Sequence, residues 1–512
     1  MANIGHVGLA QHTGVGAQRS TALRSLMDAA APEDSVAIIK DGERWTKMRL
    51  AREADRLAAG LANAGVRPGD RVALHLRNGP EMAVAYFACF RLGAIAAPLN
   101  LRFKTRELDA TLRRLRPALY IGHVDLYRLV ASVGTEILPA GARYVVGEPE
   151  DTHARRWTSL HRDPGSVALN DPDESLPAVL LSTSGTTGQP KLVAHSQATL
   201  VRGLLGCANL NLRQGDVFAF FLPMVHGSGL YSFLAGLMAG ATLVMLDAAD
   251  PDSILDAIEA HHCTYFVALP TMAAALMDRQ QVRPRDTRSL RFCLTGGDVC
   301  LPGQQEAFPE LFGVPLHSFW ASSEGLGSLT YTHRNGPFSR QVPGVEIRLV
   351  DGDDRIVRRG EPGEMVVRGP HVALGYWTAP GEWDGFENGW YRTGDVMCEE
   401  ADGEFRFVAR AKHLIVRGGS NISPVEVEQI LASHPSVADA AVIGVPDPRF
   451  GQSVIGFVQL AKAEGRIGPD EILRFASDHL ADYKMPERLL AVPAIPRNAL
   501  GKIDRVELSK LV

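Results

Sequence analysis

Between Leu50 and Arg77 the chain spells out one complete helix–turn–strand unit. Leu50, Ala54, Leu57, Ala58 and Leu61 recur at helical spacing, and Gly65 supplies a stop. Pro68-Gly69-Asp70 makes a turn, after which Val72, Leu74 and Leu76 alternate with His75 and Arg77 as in a strand. The unit recurs where Ile254–Ile258 precedes Tyr265–Leu269. Helices alternating with buried strands predict an α/β architecture. A chain of 512 residues is too long for one core, so two or more domains are expected.

A formal net charge of -5 offers no basic footprint for nucleic acid or for an anionic membrane. Cys89, Cys207, Cys263, Cys293, Cys300 and Cys398 are scattered and form no C-x-x-C pair, which fits free thiols in a reducing, cytoplasmic setting. His261, His262 and Cys263 are adjacent, but neighbouring side chains point apart and no second cluster matches them, so no metal site is expected there. The first twenty residues lack the basic start and apolar stretch of a signal peptide. The longest apolar run, Gly229 to Leu246, is interrupted by Ser232, Gly236, Gly240 and Thr242; it reads as a buried helix entering a buried strand, with no membrane span.

Around Asp351–Arg359 the texture changes to charged turns and short strands such as Glu346–Val350 and Gly363–Val367. After about Arg410 a compact α+β pattern follows. Ser423-Pro424 opens a helix to Leu431, Ala440–Val445 reads as a strand and Pro469–Leu480 as a helix. These last hundred or so residues make a separate small domain.

The densest chemistry is Ser182-Thr183-Ser184-Gly185-Thr186-Thr187-Gly188-Gln189-Pro190-Lys191, which follows the apolar run Ala178–Leu181 and so leaves the end of a buried strand. Glycines let backbone N–H groups approach a phosphate closely, and hydroxyls and a lysine add donors. The glycine spacing is not that of a Walker A loop, and no Ser or Thr follows the lysine.

The segment Thr183–Lys191 closely resembles the phosphate loop of the acyl-adenylate-forming enzymes, which include acyl-CoA synthetases, peptide-synthetase adenylation domains and luciferases. The resemblance continues in order. Tyr391-Arg392-Thr393-Gly394-Asp395 is similar to the family's ribose-binding motif. Arg410-Ala411-Lys412 followed by Arg417-Gly418-Gly419-Ser420-Asn421-Ile422-Ser423-Pro424 resembles its hinge and the start of its small domain. Asn498-Ala499-Leu500-Gly501-Lys502-Ile503 resembles the loop of its catalytic lysine. The resemblance implies a large N-terminal α/β adenylation domain of several subdomains, residues 1–410, that binds ATP and acid. It also implies a small mobile α+β C-terminal domain, residues 411–512, turning on Lys412.

It further implies a catalytic set of Lys502, Lys191 and His226. The nucleotide would be held by Thr183, Ser184, Gly185, Thr186, Thr187, Gly188, Gly297, Asp298, Trp320, Ser323, Asp395 and Arg410. Asp395 would accept from both ribose hydroxyls, Trp320 would stack on adenine, and Arg410 would contact ribose or phosphate. Ser323 keeps a hydroxyl for the α-phosphate where Thr is common, and Glu324 would hold Mg²⁺, a hard cation that prefers oxygen ligands. Departures are Ala321, where Gly is usual at the start of the acyl pocket, His413 where Asp is common, and Gln452 in place of a frequent Glu.

Pro223-Met224-Val225-His226 resembles the segment entering the acid pocket, with Gly227, Phe319 and Ala321 lining it. Amino-acid-activating relatives place an Asp near position 227 to pair the substrate ammonium. Here no acidic residue lies between Phe218 and Met245, and a buried ammonium would be unpaired. A medium-chain or aromatic carboxylate without an α-amino group is expected, beside apolar Leu230, Tyr231 and Phe233. Gly418 and Gly419 look most like the pantetheine channel of acyl-CoA synthetases, so CoA is the expected acceptor, and no fused carrier domain is expected beyond Lys502. Two alternatives stand beside this: a free-standing ligase that loads a carrier protein, and a non-catalytic adenylate-binding relative. Monomer and homodimer are both open.

Overall fold

The computed structural model describes residues 23, 26, 35–149, 153–166, 169, 171–183, 191–207, 210–247, 250–300, 302–417, 420–461, 468–498 and 502–512. Helix Lys47–Asn63 starts at Thr46, whose hydroxyl accepts from the Arg49 N–H at 3.1 Å. Its buried face carries Leu50, Ala54, Leu57, Ala58 and Leu61 and packs on helix Pro80–Leu92. Gly65 then takes φ +93°, a left-handed turn open to glycine at little cost. Strand Arg71–His75 follows in mid-sheet, and its alternation does not mark a wet face. His75 is fully buried and shares a 3.1 Å hydrogen bond with the Tyr120 hydroxyl; burial pushes its imidazole down to about 4.

Among the described residues three sheets build the large part of the molecule. One has seven strands in the order Leu316–Phe319, Phe292–Gly296, Tyr265–Ala268, Val217–Phe220, Thr242–Met245, Val36–Lys40 and Glu43–Thr46, all parallel except the last. A second has nine strands. Its parallel centre includes Pro177–Thr183, Ile95–Pro98, Arg71–His75 and Leu119–His123, and its antiparallel edge is Lys191–Ser196, Gly375–Ala379 and Glu382–Asp384. The third is antiparallel, with Tyr391–Glu399 and Glu404–Arg410 at its centre and Glu346–Val350 pairing with Pro362–Arg368 at one edge. The long apolar run resolves into helix Gly227–Ala239 and strand Thr242–Met245. Among the described residues no helix is long and apolar enough to cross a membrane. Cys89, Cys263, Cys293, Cys300 and Cys398 are buried, and burial pushes the Cys263 and Cys300 thiols up to about 12.

The small C-terminal part has its own core of Ile415, Ile422, Val427, Leu431, Val442, Val454, Val458, Ile472 and Ala476. Its sheet centres on the hairpin Val437–Asp447 and Gly451–Leu460. Ser423 caps helix Pro424–Ala432 as its sequence requires. The second helix runs Pro469–Ser477, three residues shorter than expected, although Leu480 still folds back through a 2.9 Å bond to Ala476 O. Helix Pro424–Ala432 packs against strand Glu404–Arg410, and the Ser423 hydroxyl donates to Val408 O across the junction. A cleft of about 350 Å³ remains beside this contact, between Pro362, Phe407 and Val408 on one side and Val425, Gln429 and Lys484 on the other.

Candidate active site

Chain direction gathers the candidate residues. Parallel strands present their carboxyl ends on one side of a sheet, where ligands of open α/β folds bind. Strand Phe292–Gly296 delivers Gly297, at φ +84°, and Asp298. Its neighbour Leu316–Phe319 delivers Trp320, Ala321, Ser323 and Glu324. Strand Val217–Phe220 leads to His226, which caps helix Gly227–Ala239. Strand Pro177–Thr183 leads into the glycine-rich loop and strand Lys191–Ser196 returns from it, with Thr183 directly opposite Lys191. Ser184, Gly185, Thr186, Thr187 and Gly188 lie outside the described residues, as do Gly418 and Gly419.

Asp395 and Arg410 meet because their strands place them as direct partners. Arg410 Nε stands 2.9 Å from Asp395 Oδ1, and the Trp320 indole N–H donates to Oδ2 at 2.7 Å. Oδ1 is buried and engaged by that ion pair, with no hydrogen bond of its own. Burial raises the Asp395 carboxyl above its ordinary value, against the opposing pull of Arg410 and the Trp320 N–H.

Glu324 is buried, and both its oxygens accept from tyrosines: Oε1 from Tyr376 at 3.0 Å and Oε2 from Tyr391 at 3.1 Å. Lys191 Nζ lies 4.2 Å from the centre of the Tyr376 ring. The preceding residue, Ser323, is fixed through its carbonyl, which accepts from the buried His195 ring at 2.7 Å. Gly227 lies against Ser323; a Cβ at residue 227 would come 3.1 Å from the Ser323 hydroxyl oxygen. Among the described residues no three His, Cys, Asp or Glu side chains form a metal-holding group. A hard divalent ion at Glu324 would therefore take most of its oxygens from a nucleotide's phosphates and water, and a carboxylate suits that part.

His226 is half-buried, and its imidazole is pushed down to about 4 by burial, then by Arg102. It is neutral near pH 7 and can donate one N–H without carrying charge. Ala321 and Phe319 pack at the edge of the main core. Leu230, Tyr231 and Phe233 are buried within it, and the Tyr231 hydroxyl reaches Leu200 O at 3.3 Å.

The small domain contributes Lys502. A bridge between Arg497 and Ile503 closes its loop, and Asn498 bonds the Lys502 backbone on both sides, at 2.8 and 3.2 Å. The ammonium is desolvated, which lowers its proton affinity. Arg410 lowers it further, while Asp298, Asp395 and Glu324 oppose the shift. One lysine from the end of the chain thus shares a field with four charged residues of the large domain. Lys412 is exposed on the short turn Ala411–His413, two residues beyond Arg410. Tyr376 and His195 carry no local sequence signal. They belong to the site because strand Gly375–Ala379 pairs with Lys191–Ser196, and that pairing is set by the sheet.

The sequence model of AMP-binding enzymes matches residues 27–377, more than half of the chain, and that of the AMP-binding enzyme C-terminal domain matches residues 426–502. The chain belongs to the AMP-binding enzyme family. Its fold is the large adenylation domain with a small C-terminal domain, and it is an adenylate-forming enzyme. This AMP-binding enzyme is 33% identical to triostin synthetase I of Streptomyces triostinicus, over 93% of its own length and 92% of that protein's. It is 32% identical to the medium-chain fatty-acid–CoA ligase of Escherichia coli (strain K12), over 94% and 88%. It is 33% identical to a feruloyl-CoA synthase of an Amycolatopsis species, over 93% and 96%. Among solved structures it resembles ATP-bound MatB from Rhodopseudomonas palustris, with a TM-score of 0.83, 26% identity and coverage of 96% and 98%.

Proposed function

We propose that this enzyme is an AMP-forming acid–CoA ligase acting on a medium-chain or aromatic carboxylate that has no α-amino group. The observation that carries the reading is the buried Asp395, paired with Arg410 at 2.9 Å and held by the Trp320 indole N–H at 2.7 Å, with the desolvated Lys502 in the field of the same residues. In the first half-reaction an acid oxygen attacks the α-phosphorus of ATP, the α–β anhydride bond breaks and pyrophosphate leaves. Two anions must meet, and Lys502 offsets their repulsion most where charge builds in the transition state. Asp395 Oδ1 accepts a ribose hydroxyl, and Trp320 stacks on adenine while its N–H holds Oδ2. Lys191 and the loop before it take the outer phosphates, and Ser323 faces the α-phosphate. Glu324 would hold a magnesium ion arriving with ATP, which neutralises phosphate charge. Neutral His226 donates to the acid's carboxylate.

In the second half-reaction the CoA thiol attacks the acyl carbonyl and AMP leaves. Residues 411–512 turn about Lys412 between the two, carrying Lys502 out and bringing Gly418 and Gly419 to the pantetheine arm. Gly227 against Ser323, with no acidic side chain from Phe218 to Met245, supports an acid without an ammonium group. The relatives named for medium-chain and feruloyl acids support an apolar or aromatic body.

A panel of carboxylic acids assayed for pyrophosphate release, with and without CoA, tests this. Release with aliphatic or aryl acids, and AMP release that needs CoA, are expected. Turnover of amino acids alone, or product formed only with a carrier protein, would overturn the reading.

A further inference from the structure

We propose that Tyr376 is a positioning residue that ties Lys191 and Glu324 into one unit and presets the site for a metal-bound triphosphate. The inference rests on the reading of Glu324 as a metal ligand and goes beyond it. Tyr376 touches both partners at once: its hydroxyl donates to Glu324 Oε1 at 3.0 Å, and its ring face lies 4.2 Å from the Lys191 ammonium. Its place is set by the sheet, since Tyr376 pairs with Val193, two residues along the strand from Lys191. The preceding Gly375 has φ +143°, and a Cβ there would come 2.0 Å from Asp384 O, so the approach of this strand needs glycine. The ring is braced edge-on by Phe386, with centroids 5.6 Å apart, and Phe386 in turn packs on Tyr391 at 5.1 Å. Tyr391 donates to the other Glu324 oxygen at 3.1 Å.

This arrangement has a chemical consequence. A phenol that donates to a carboxylate carries extra electron density on its ring, and an electron-rich ring holds a cation more firmly. Lys191 and Glu324, of opposite charge, are therefore kept apart yet coupled through one side chain. Two tyrosine donors also aim the carboxylate and stop it from collapsing onto the lysine. Tyr376 would donate less to a Glu324 that held a divalent ion, its ring would then hold Lys191 less firmly, and the ammonium would be free to turn toward phosphate. Metal and phosphate are then sensed together.

Binding of ATP without acid, measured by calorimetry across a magnesium titration, tests this. The proteins are the unmodified enzyme, Tyr376→Phe, Tyr391→Phe, Glu324→Gln and the double variant Tyr376→Phe/Glu324→Gln. Tyr376→Phe keeps the ring and removes the donor. It should raise the magnesium needed for half-maximal ATP binding by about threefold to tenfold, the net scale of one lost hydrogen bond. In the Glu324→Gln background the same change should add little, because the coupled partner is already gone. A tyrosine that merely packs would weaken ATP binding equally with and without magnesium, and would act additively; either result overturns the proposal. So does a Tyr376→Phe titration that superimposes on the unmodified enzyme while Glu324→Gln shifts, a result that leaves the metal reading standing. If Glu324→Gln itself changes nothing, that reading fails and the inference with it. Should Tyr376→Phe not fold, Tyr391→Phe removes the second donor and must shift the titration in the same direction, or the proposal is overturned.

Discussion

Trp320 and Asp395 are separated by 75 positions in the chain and joined by one hydrogen bond. In the proposed function Trp320 has two duties, to present a ring to adenine and, through that bond, to oppose the rise in proton affinity that burial imposes on Asp395. Trp320→Phe retains the ring and removes the donor. ATP should bind about tenfold more weakly, or ~1.5 kcal/mol. The pH dependence has a definite sign. Burial already raises the Asp395 carboxyl, and the Trp320 N–H is one of the groups holding it down. Without that N–H the carboxylate takes up its proton at higher pH, so ATP binding should fade earlier on acidification. Affinities measured between about pH 5 and pH 8 check this, and parallel curves for the two proteins would contradict it. In the proposed function Ala321 borders the acid, and its side chain packs at the edge of the main core. Ala321→Gly should improve the relative use of bulkier acids by about ten- to a hundredfold, as one methylene of room is worth ~1–3 kcal/mol. A graded acid series with unchanged preference would show that residue 321 does not line the pocket.

At the scale of elements, the turn Ala411–His413 follows strand Glu404–Arg410 directly, and Leu414 N–H bonds Arg410 O at 3.0 Å. Proline is tolerated in such a first turn but fixes φ. Lys412→Pro should therefore leave pyrophosphate release within about threefold and slow thioester formation at least tenfold, since a hinge must change its backbone angles. Equal loss in both half-reactions would reject a hinge there. The elements themselves were largely legible in the sequence, because helix Lys47–Asn63 and helix Pro424–Ala432 are written in apolar spacing and in the caps Thr46 and Ser423. The candidate site's chemistry is contiguous in the sequence from Thr183 to Lys191, of which the structure describes the two ends, placed directly opposite each other. It was illegible where strand register makes the contact: nothing near Tyr376 announces Glu324, and nothing near His195 announces the Ser323 carbonyl. His75 shows the same limit, a polar residue in an alternating run that the sheet buries completely.

Across the whole molecule, the decisive relation is between the small domain and the large one. The small domain docks through Ser423 on Val408, Glu428 and Arg505 pair at 2.5 Å within it, and the loop closed by Arg497 and Ile503 carries Lys502 into the field of Arg410, Asp298, Asp395 and Glu324. If this arrangement makes the acyl-adenylate and another makes the thioester, Lys502 serves only the first. The direct measurement is Lys502→Ala assayed in each half-reaction separately. Adenylation should fall by at least about a hundredfold, or ~2.7 kcal/mol of barrier, with ATP still bound. Preformed acyl-adenylate and CoA should still give thioester within about threefold of the unmodified rate, a change of under ~0.7 kcal/mol. A variant that loses both half-reactions together, or that adenylates at nearly the unmodified rate, would contradict the account.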